Sequence, residues 1–519
     1  MLSSSFDLLS IGSLPALVKD YFHGAPAVKK FYKNRPNVES IIADANSRSF
    51  AHRETLVAAL KRQNAHYSNH PLIERLLQEN SFTVTTGHQL CVATGPLYFL
   101  YKIASTIALA RKLAAEDVTK AFIPVYWMAS EDHDFEEIQS IEIFQKKIIW
   151  NAEAKGPVGR LDTEGLESFI EELTQILGTS VDALRFIDIL KESYSKPSLA
   201  AATRHLVYSL FGDQNLIVLD ADDAELKKIF LPIIQKEIKE RFSFELVKKT
   251  SAELEALGYK AQVTPREVNL FYIEKGIRER IKFEDGNFHW GLGSQSLEDL
   301  LVLTTSQPES ISPNVILRPV YQECILPNLA YVGGPGELSY WLQLREVFDF
   351  YNIPFPTLLL RDSALLLSTA TLSKLSKLNL EIENILNGKN AIIQSWIQES
   401  NAEDLSNDRF TANELFDSIT AKMKALDPTL ESSAAGERKK LISAIENLEK
   451  KMIRAIKSKE EVRIQQLEKI FTELFPGDQP QERVTNVAQY TDFLEAGLIN
   501  YLVEVFDPTQ LKLTVVRSA

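Results

Sequence analysis

The chain has 519 residues, 45% hydrophobic and 24% charged, with a formal net charge of −13. That length can bury a large core and points to roughly two to four folding units, and the acidic balance argues against a nonspecific nucleic-acid or anionic-membrane binder, which needs a basic excess. Two cysteines, Cys91 and Cys324, imply no disulfide framework and fit a reducing cytoplasm.

The opening MLSSSFDLLSIGSLPAL lacks the basic and long apolar regions of a signal peptide, so a cytoplasmic location is expected. Residues 1–80 read as largely helical, with LPALVKDYF, ETLVAALKRQ and PLIERLLQE as periodic pieces. Phe82–Thr86 is a β-branched and aromatic strand ending at Gly87-His88-Gln89, polar groups able to hold a ligand. Thr94-Gly95-Pro96 is expected to open a helix whose free N–H groups face an anion. Leu97, Leu100, Tyr101, Ala104, Ile107 and Ala108 form its core stripe, and Tyr98, Lys102 and Ser105 lie elsewhere. Lys102 sits about 9 Å along the axis and leans back, so it either approaches that anion or simply snorkels from a packed helix.

Phe122–Met128 is a continuous apolar run of the parallel, doubly buried kind. It ends in Ser130-Glu131-Asp132-His133-Asp134, which alone reads as a helix cap. Two polar turns after adjacent strands point instead to a ligand site at the carboxyl ends of an open α/β sheet.

IQSIEIFQKKIIW reads as strand, and Lys155-Gly156-Pro157 turns the chain into a helical excursion over about 155–212. NLIVLDADD is another buried strand, whose Asp220, Asp222 and Asp223 are explained by capping as well as by binding. Residues 243–312 read as a β-containing insertion. In the block Ser312–Arg345, Leu329–Val332 is a strand, Gly333-Gly334 a tight turn and Pro335 a helix start carrying Glu337, while Asn314, Arg318, Gln322, Asn328 and Tyr331 are polar groups among apolar ones. Thr357–Leu360 is a last strand. The core thus spans 1–365. Over 366–475, Leu441, Ile445, Leu448 and Met452, then Ile464, Leu467, Phe471 and Leu474, predict an antiparallel coiled coil for packing or dimerisation, broken by a polar loop near 400–436. The tail 476–519 should fold back on the core, offering Gln481, Arg483 and Asn486 as ligand contacts.

There is no Walker loop, G-x-G-x-x-G fingerprint, C-x-x-C or H-E-x-x-H, so no zinc motif is present. Buried inert thiols are the better reading of Cys91 and Cys324. Glu131 to Asp134 could ligate a divalent metal, although adjacent residues seldom face one point.

Together TGHQ…TGPLYFLYK, SEDHDFEEI, SPNVILRPVYQE…LPNLAYVGGPGE and the terminal coiled coil resemble the bacillithiol biosynthesis family of cysteine-adding enzymes, BshC, over nearly the whole chain. The resemblance implies a Rossmann-like core related to class I nucleotidyltransferases, a coiled-coil dimerisation domain giving a homodimer, and a bound adenine nucleotide, ATP or ADP, with magnesium an option. It implies a ligase that joins the carboxyl of cysteine to the amine of glucosaminyl malate. TGPLYFLY echoes the class I signature TGPLHIGH, but Tyr98 and Tyr101 stand where that signature has histidines and a KMSKS-like loop is missing. The family carries glutamine at the place of His88 in many members, so His88 is read as a binding residue. On this reading Lys102, Asp132, His133 and Asp134 are catalytic, and His88, Gln89, Thr94, Gly95, Tyr98, Asn314, Arg318, Gln322, Asn328, Tyr331 and Glu337 bind substrate. The alternatives are an adenylate-forming enzyme acting on another carboxylic acid, and a non-catalytic scaffold.

Overall fold

The computed structural model describes residues 1–9, 11, 14–67, 70–212, 214–291, 293–399 and 405–518. The chain divides into two compact units, Met1–Leu366 with Gln479–Ala519, and Leu367–Asp478.

The first unit is built on five strands: β1 (Ser81–His88), β2 (Ala121–Met128), β3 (Ile217–Asp220), β4 (Asn328–Gly333) and β5 (Thr357–Leu360). Their order in the sheet is β5-β4-β1-β2-β3, all parallel. The chain starts in the middle, moves outward through β2 and β3, and returns to the other side of β1 as β4. The crevice between β1 and β4 is therefore the topological switch point, where ligands bind in sheets of this kind.

Both faces of the sheet are covered, which explains the unbroken apolar strands. Tyr126 and Met128 of β2 pack with Leu100, Ile103 and Ile107 of helix α1 (Tyr98–Glu116). Ile123, Val125 and Trp127 pack on the opposite face with Leu226, Phe230 and Ile234 of α2 (Ala224–Glu240). Asp223 is the N-cap of α2, accepting from the N–H groups of Glu225 and Leu226, so capping accounts for it. Helix α3 (Arg318–Ile325) precedes β4 and α4 (Pro335–Trp341) follows it.

The helical excursion consists of Leu166–Leu177, Val181–Tyr194 and Leu199–Phe211. The insertion expected to be β-containing from residue 243 begins instead with a helix, Phe242–Ala256, because Val247, Thr250 and Leu254 bury one face at helical spacing while its aromatic start reads as strand. Its hairpin follows, Leu270–Glu274 with Ile277–Arg280. Among the described residues of 1–80 the regular elements are helices, apart from a first strand, Leu2–Asp7, that pairs antiparallel with Lys512–Arg517. No local pattern announces so exposed a strand; its partner lies at the far end of the chain.

In the second unit α5 (Ser406–Leu426) and α6 (Glu431–Lys459) are antiparallel, since Arg409 meets Glu449 while Arg438 meets Asn413 and Asp417. Helix α7 (Glu461–Leu474) follows. Of the loop expected near 400–436, residues 400–404 lie outside the described residues and most of the rest is helix; the turn is only Asp427 and Pro428–Leu430. The seam of α5, Ala412, Phe416, Ile419 and Met423, alternates by four and three and was masked by its polar background.

Candidate active site

A cavity of about 830 Å³ opens at the carboxyl ends of β1, β2 and β4. Gly87, His88 and Gln89 line it from β1, Tyr98 and Lys102 from α1, Trp127 to Asp132 from β2, and Tyr331, Glu337 and Tyr340 from β4 and α4. In a chain of net charge −13 its wall carries Lys102, Arg266, Arg278, Arg280, Arg318, Arg361 and Arg483 against three carboxylates, Glu131, Asp132 and Glu337.

Lys102 is buried at the switch point. Its Nζ donates to the Gly87 carbonyl at 2.6 Å and pairs with Glu337 Oε2 at 2.5 Å. Glu337 also accepts from the Gly334 N–H and the Tyr331 hydroxyl, so a helix-capping carboxylate faces the cavity. Burial opposes its ionisation, but the Lys102 charge and these hydrogen bonds outweigh that and hold it below the usual range. Burial likewise pushes Lys102 down, against the pull of Glu337.

The expected anion cradle at Thr94-Gly95 does not form. Helix α1 starts at Tyr98, the Leu97 N–H is taken by the Thr485 carbonyl, and Asn486 Nδ2 donates to the carbonyls of Ala93 and Gly95 at 2.8 and 2.5 Å. Thr94 is buried, and neither it nor Gly95 lines the cavity. A segment almost four hundred residues away covers the helix start, which local sequence could not reveal. Asn486 is therefore a structural clamp. Gln481, bonded to both backbone groups of Leu366 and to the Tyr490 hydroxyl, is another, leaving Arg483 alone of the three in the cavity wall.

Arg318 contacts Gln322 Oε1 at 3.1 Å and the Tyr340 hydroxyl at 3.4 Å. The rings of Trp127, Tyr331 and Trp341 lie 5.8–5.9 Å away, and among the described residues no carboxylate pairs with it. Arg361 is held by Glu482 at 2.7 Å beside the Tyr98 ring, yet its buried Nε has no partner. Both guanidiniums are suited to an anionic group. Gln322 and Asn328 are fully buried outside the cavity. Asn328 accepts from Thr83 and Thr85 and donates to Glu323, fixing β4 against β1 where their register shifts. Asn314 lines the cavity, but its side chain is committed to Asn269 and to the N–H groups of Ile316 and Leu317.

In the turn after β2, Asp132 reaches the cavity and accepts from Gln89 Nε2 at 2.8 Å. His133 and Asp134 line a separate groove. The His133 Nδ1 takes an N–H of Arg278 at 2.8 Å, which leaves its proton on Nε2, and burial with the Arg278 charge lowers its pKa. His88 is neutral: burial and Lys102 push it down to about 3. Cys91 is buried and pushed up to about 12 by desolvation, an inert thiol as expected. Tyr98 is pushed up to about 12 by the same cause.

Sequence reasoning missed Arg278, Arg280 and Arg361, and read Glu131 only as an option for a metal. The first two had a signal, the alternation in IRERIK, which places residues 278 and 280 on one face of a strand. What local sequence could not show is the ion partner of Glu131, Lys227 on α2, 96 residues further along.

Two family models cover the chain: the N-terminal Rossmann-like domain of bacillithiol biosynthesis BshC at residues 5–362, and its C-terminal coiled-coil domain at 364–518. The chain is 38% identical to a Flavobacterium johnsoniae protein, covering 97% of this chain and 98% of that one. It is 37% identical to one from Flavobacterium psychrophilum, covering 98% of each. A Cytophaga hutchinsonii protein is 35% identical over 92% of this chain and 91% of its own. All three bear the name "Putative cysteine ligase BshC". A Rossmann-like sheet with its cavity at the switch point, a coiled-coil hairpin and full-length relatives agree: the chain belongs to the BshC family of bacillithiol biosynthesis.

Proposed function

We propose that this chain is a ligase joining the carboxyl group of cysteine to the amine of glucosaminyl malate. The observation that carries the reading is one cavity at the switch point holding an excess of guanidinium and ammonium groups together with three carboxylates. It suits substrates that bring carboxylates and an amine to the same place.

Carboxylate and amine do not condense unaided in water. An adenine nucleotide, when bound, would supply activation of the cysteine carboxyl, and Arg318, Arg361 and Arg483 fit its phosphates, the first having no carboxylate partner and the second an unpartnered buried Nε among the described residues. Among the described residues no group of three or more His, Cys, Asp or Glu side chains is placed to hold a metal. A magnesium ion would therefore be carried largely by the phosphates.

Lys102 is the donor for a cysteine carboxyl oxygen, displacing one of its present acceptors. Glu337 and the Tyr331 hydroxyl receive the ammonium or hydroxyl groups of a substrate. Asp132 takes the proton from the attacking amine, which must be neutral to react. His133 and Asp134 have no part in this step, because they face another groove. His88, Gln89 and Tyr98 complete the wall near Lys102.

The coiled coil serves a homodimer. Leu441 and Leu448 on α6 are 38% and 53% exposed, an apolar pair that a second copy would cover. The relatives' ligase name and the reducing conditions that cysteine requires support a cytoplasmic enzyme.

The test is mass-spectrometric detection of the amide after incubating the protein with cysteine and glucosaminyl malate, with and without ATP and Mg²⁺. Product that depends on ATP supports the reading. No product under any condition, from folded protein, sinks it.

A further inference from the structure

The hairpin Leu270–Glu274/Ile277–Arg280 is an insertion outside the five-stranded sheet, yet it forms part of the cavity wall. Its register sets Phe271 opposite Arg280 and Ile273 opposite Arg278. Residues two apart on a strand share a face, so Arg278 and Arg280 point the same way as Phe271. Their guanidiniums lie 3.9 and 6.0 Å from that ring.

Arg278 is held in place. Its Nε donates to Ser312 Oγ at 3.2 Å, one terminal nitrogen to the Pro313 carbonyl at 3.1 Å and the other to His133 Nδ1 at 2.8 Å. Each of these partners is neutral, so they orient the charge without cancelling it. Among the described residues neither Arg278, Arg280 nor Arg266 pairs with a carboxylate. Glu131, held by the buried Lys227, and Asp132, bonded to the Gln89 amide and its own turn, favour the charged form of Arg278 through space but do not pair with it.

A half-buried guanidinium oriented by neutral groups has a strong demand for an anion. We propose that Arg266, Arg278 and Arg280 form a second anion subsite, separate from Arg318, that grips a dianionic arm of a substrate. Arg318 stands on α3 among aromatic rings at the switch point, whereas this trio stands on the insertion. Three planar forks exceed what a single carboxylate can accept but match two carboxylates on adjacent carbons, or a diphosphate. In the ligase reading, on which this inference rests, two groups carry that chemistry: the malyl arm of the amine substrate and the phosphate chain of the nucleotide.

The experiment is titration calorimetry on the full chain with L-malate, with inorganic pyrophosphate and with the monocarboxylate L-lactate. Wild type should bind malate or pyrophosphate more tightly than lactate. Arg280→Gln, which alters an exposed side chain, should weaken that binding by about tenfold or more, the loss of one charge-assisted contact. Arg278→Gln should do the same, and Arg278→Lys should restore part of it.

Loss confined to malate assigns the subsite to the amine substrate, and loss confined to pyrophosphate assigns it to the nucleotide. Wild-type protein that binds neither, or an Arg280→Gln variant that keeps full affinity for both with unchanged circular dichroism, overturns the proposal. Amide formation by wild type is scored separately. A chain that makes no amide but loses malate affinity in Arg280→Gln keeps the subsite and abandons the ligase reading.

Discussion

Lys102 Nζ stands 2.5 Å from Glu337 Oε2 and 2.6 Å from the carbonyl oxygen of Gly87, so one ammonium ties the end of β1 to the helix that follows β4. Removing one member of a buried pair leaves an uncompensated charge. Glu337→Gln should cost about 3 kcal/mol, the low end of the range because Glu337 keeps some solvent contact. Lys102→Met should lower amide formation by about 100-fold or more, as loss of a preorganised donor does. The double variant should recover most of the stability and none of the activity. Urea unfolding and single-turnover amide formation measure the two separately. If the double variant is active, Lys102 has only a structural role.

His88 should stay neutral through the working pH range. Its folded pKa lies near 3, below the ordinary 6.5, so the unfolded chain binds the extra proton between those values. The stability this group contributes is present above pH 6.5 and lost as pH falls toward 3. His88→Gln should flatten that acid-side loss and leave the pH–rate profile above pH 5 unchanged. An inflection in the wild-type rate profile that disappears in the variant would make His88 a proton carrier.

Glu323 has the opposite sign. Burial raises it to about 7, one of its oxygens accepts from Gln322 and Asn328, and the other has no partner. A raised folded value means full stability below about pH 4.5, lost as pH rises through 7. Asp362, also raised to about 7 by burial, acts in the same sense. Glu323→Gln should therefore raise the urea midpoint at pH 8 relative to wild type and leave it nearly unchanged at pH 4, which chemical denaturation at the two pH values checks.

Asn328→Ala should destabilise by about 3 kcal/mol, because Thr83, Thr85 and Glu323 lose a shared buried partner. KM for both substrates should be unchanged at a temperature where the variant is folded. A raised KM with intact stability would return Asn328 to the binding site.

Leu448→Glu on α6 should convert the proposed dimer to a monomer with the first unit still folded. Sedimentation velocity gives the mass, and a species of unchanged mass would move the dimer contact elsewhere.

Much of this architecture was legible because apolar runs such as Phe122–Met128 and glycine-proline helix starts such as Gly334-Pro335 are local signals. Lys102, Glu337, Tyr331 and Asp132 could be picked out from their places after strands. What could not be read was contact at long range. Asn328 and Gln481 look like ligand groups in sequence because an amide that pins a backbone and one that binds a substrate have the same chemistry. Thr94 and Gly95 carry every sign of an anion site, and only the arrival of Thr485 and Asn486 decides otherwise. The helix Ser406–Leu426 was hidden for another reason: its seam is narrow and most of its surface is polar.

The contact between Asn486 and the carbonyls of Ala93 and Gly95 spans 393 and 391 positions of sequence. On the ribosome, β1 and α1 emerge long before their clamp, and residues 367–478 must be made in between. Until then the start of α1 has open backbone groups, and Arg483 is missing from the cavity wall. Domains generally fold from the N-terminal side during synthesis. Here the wall of the cavity stays incomplete until the helical hairpin has been synthesised, so a nascent chain carries residues 367–478 before its candidate site can close.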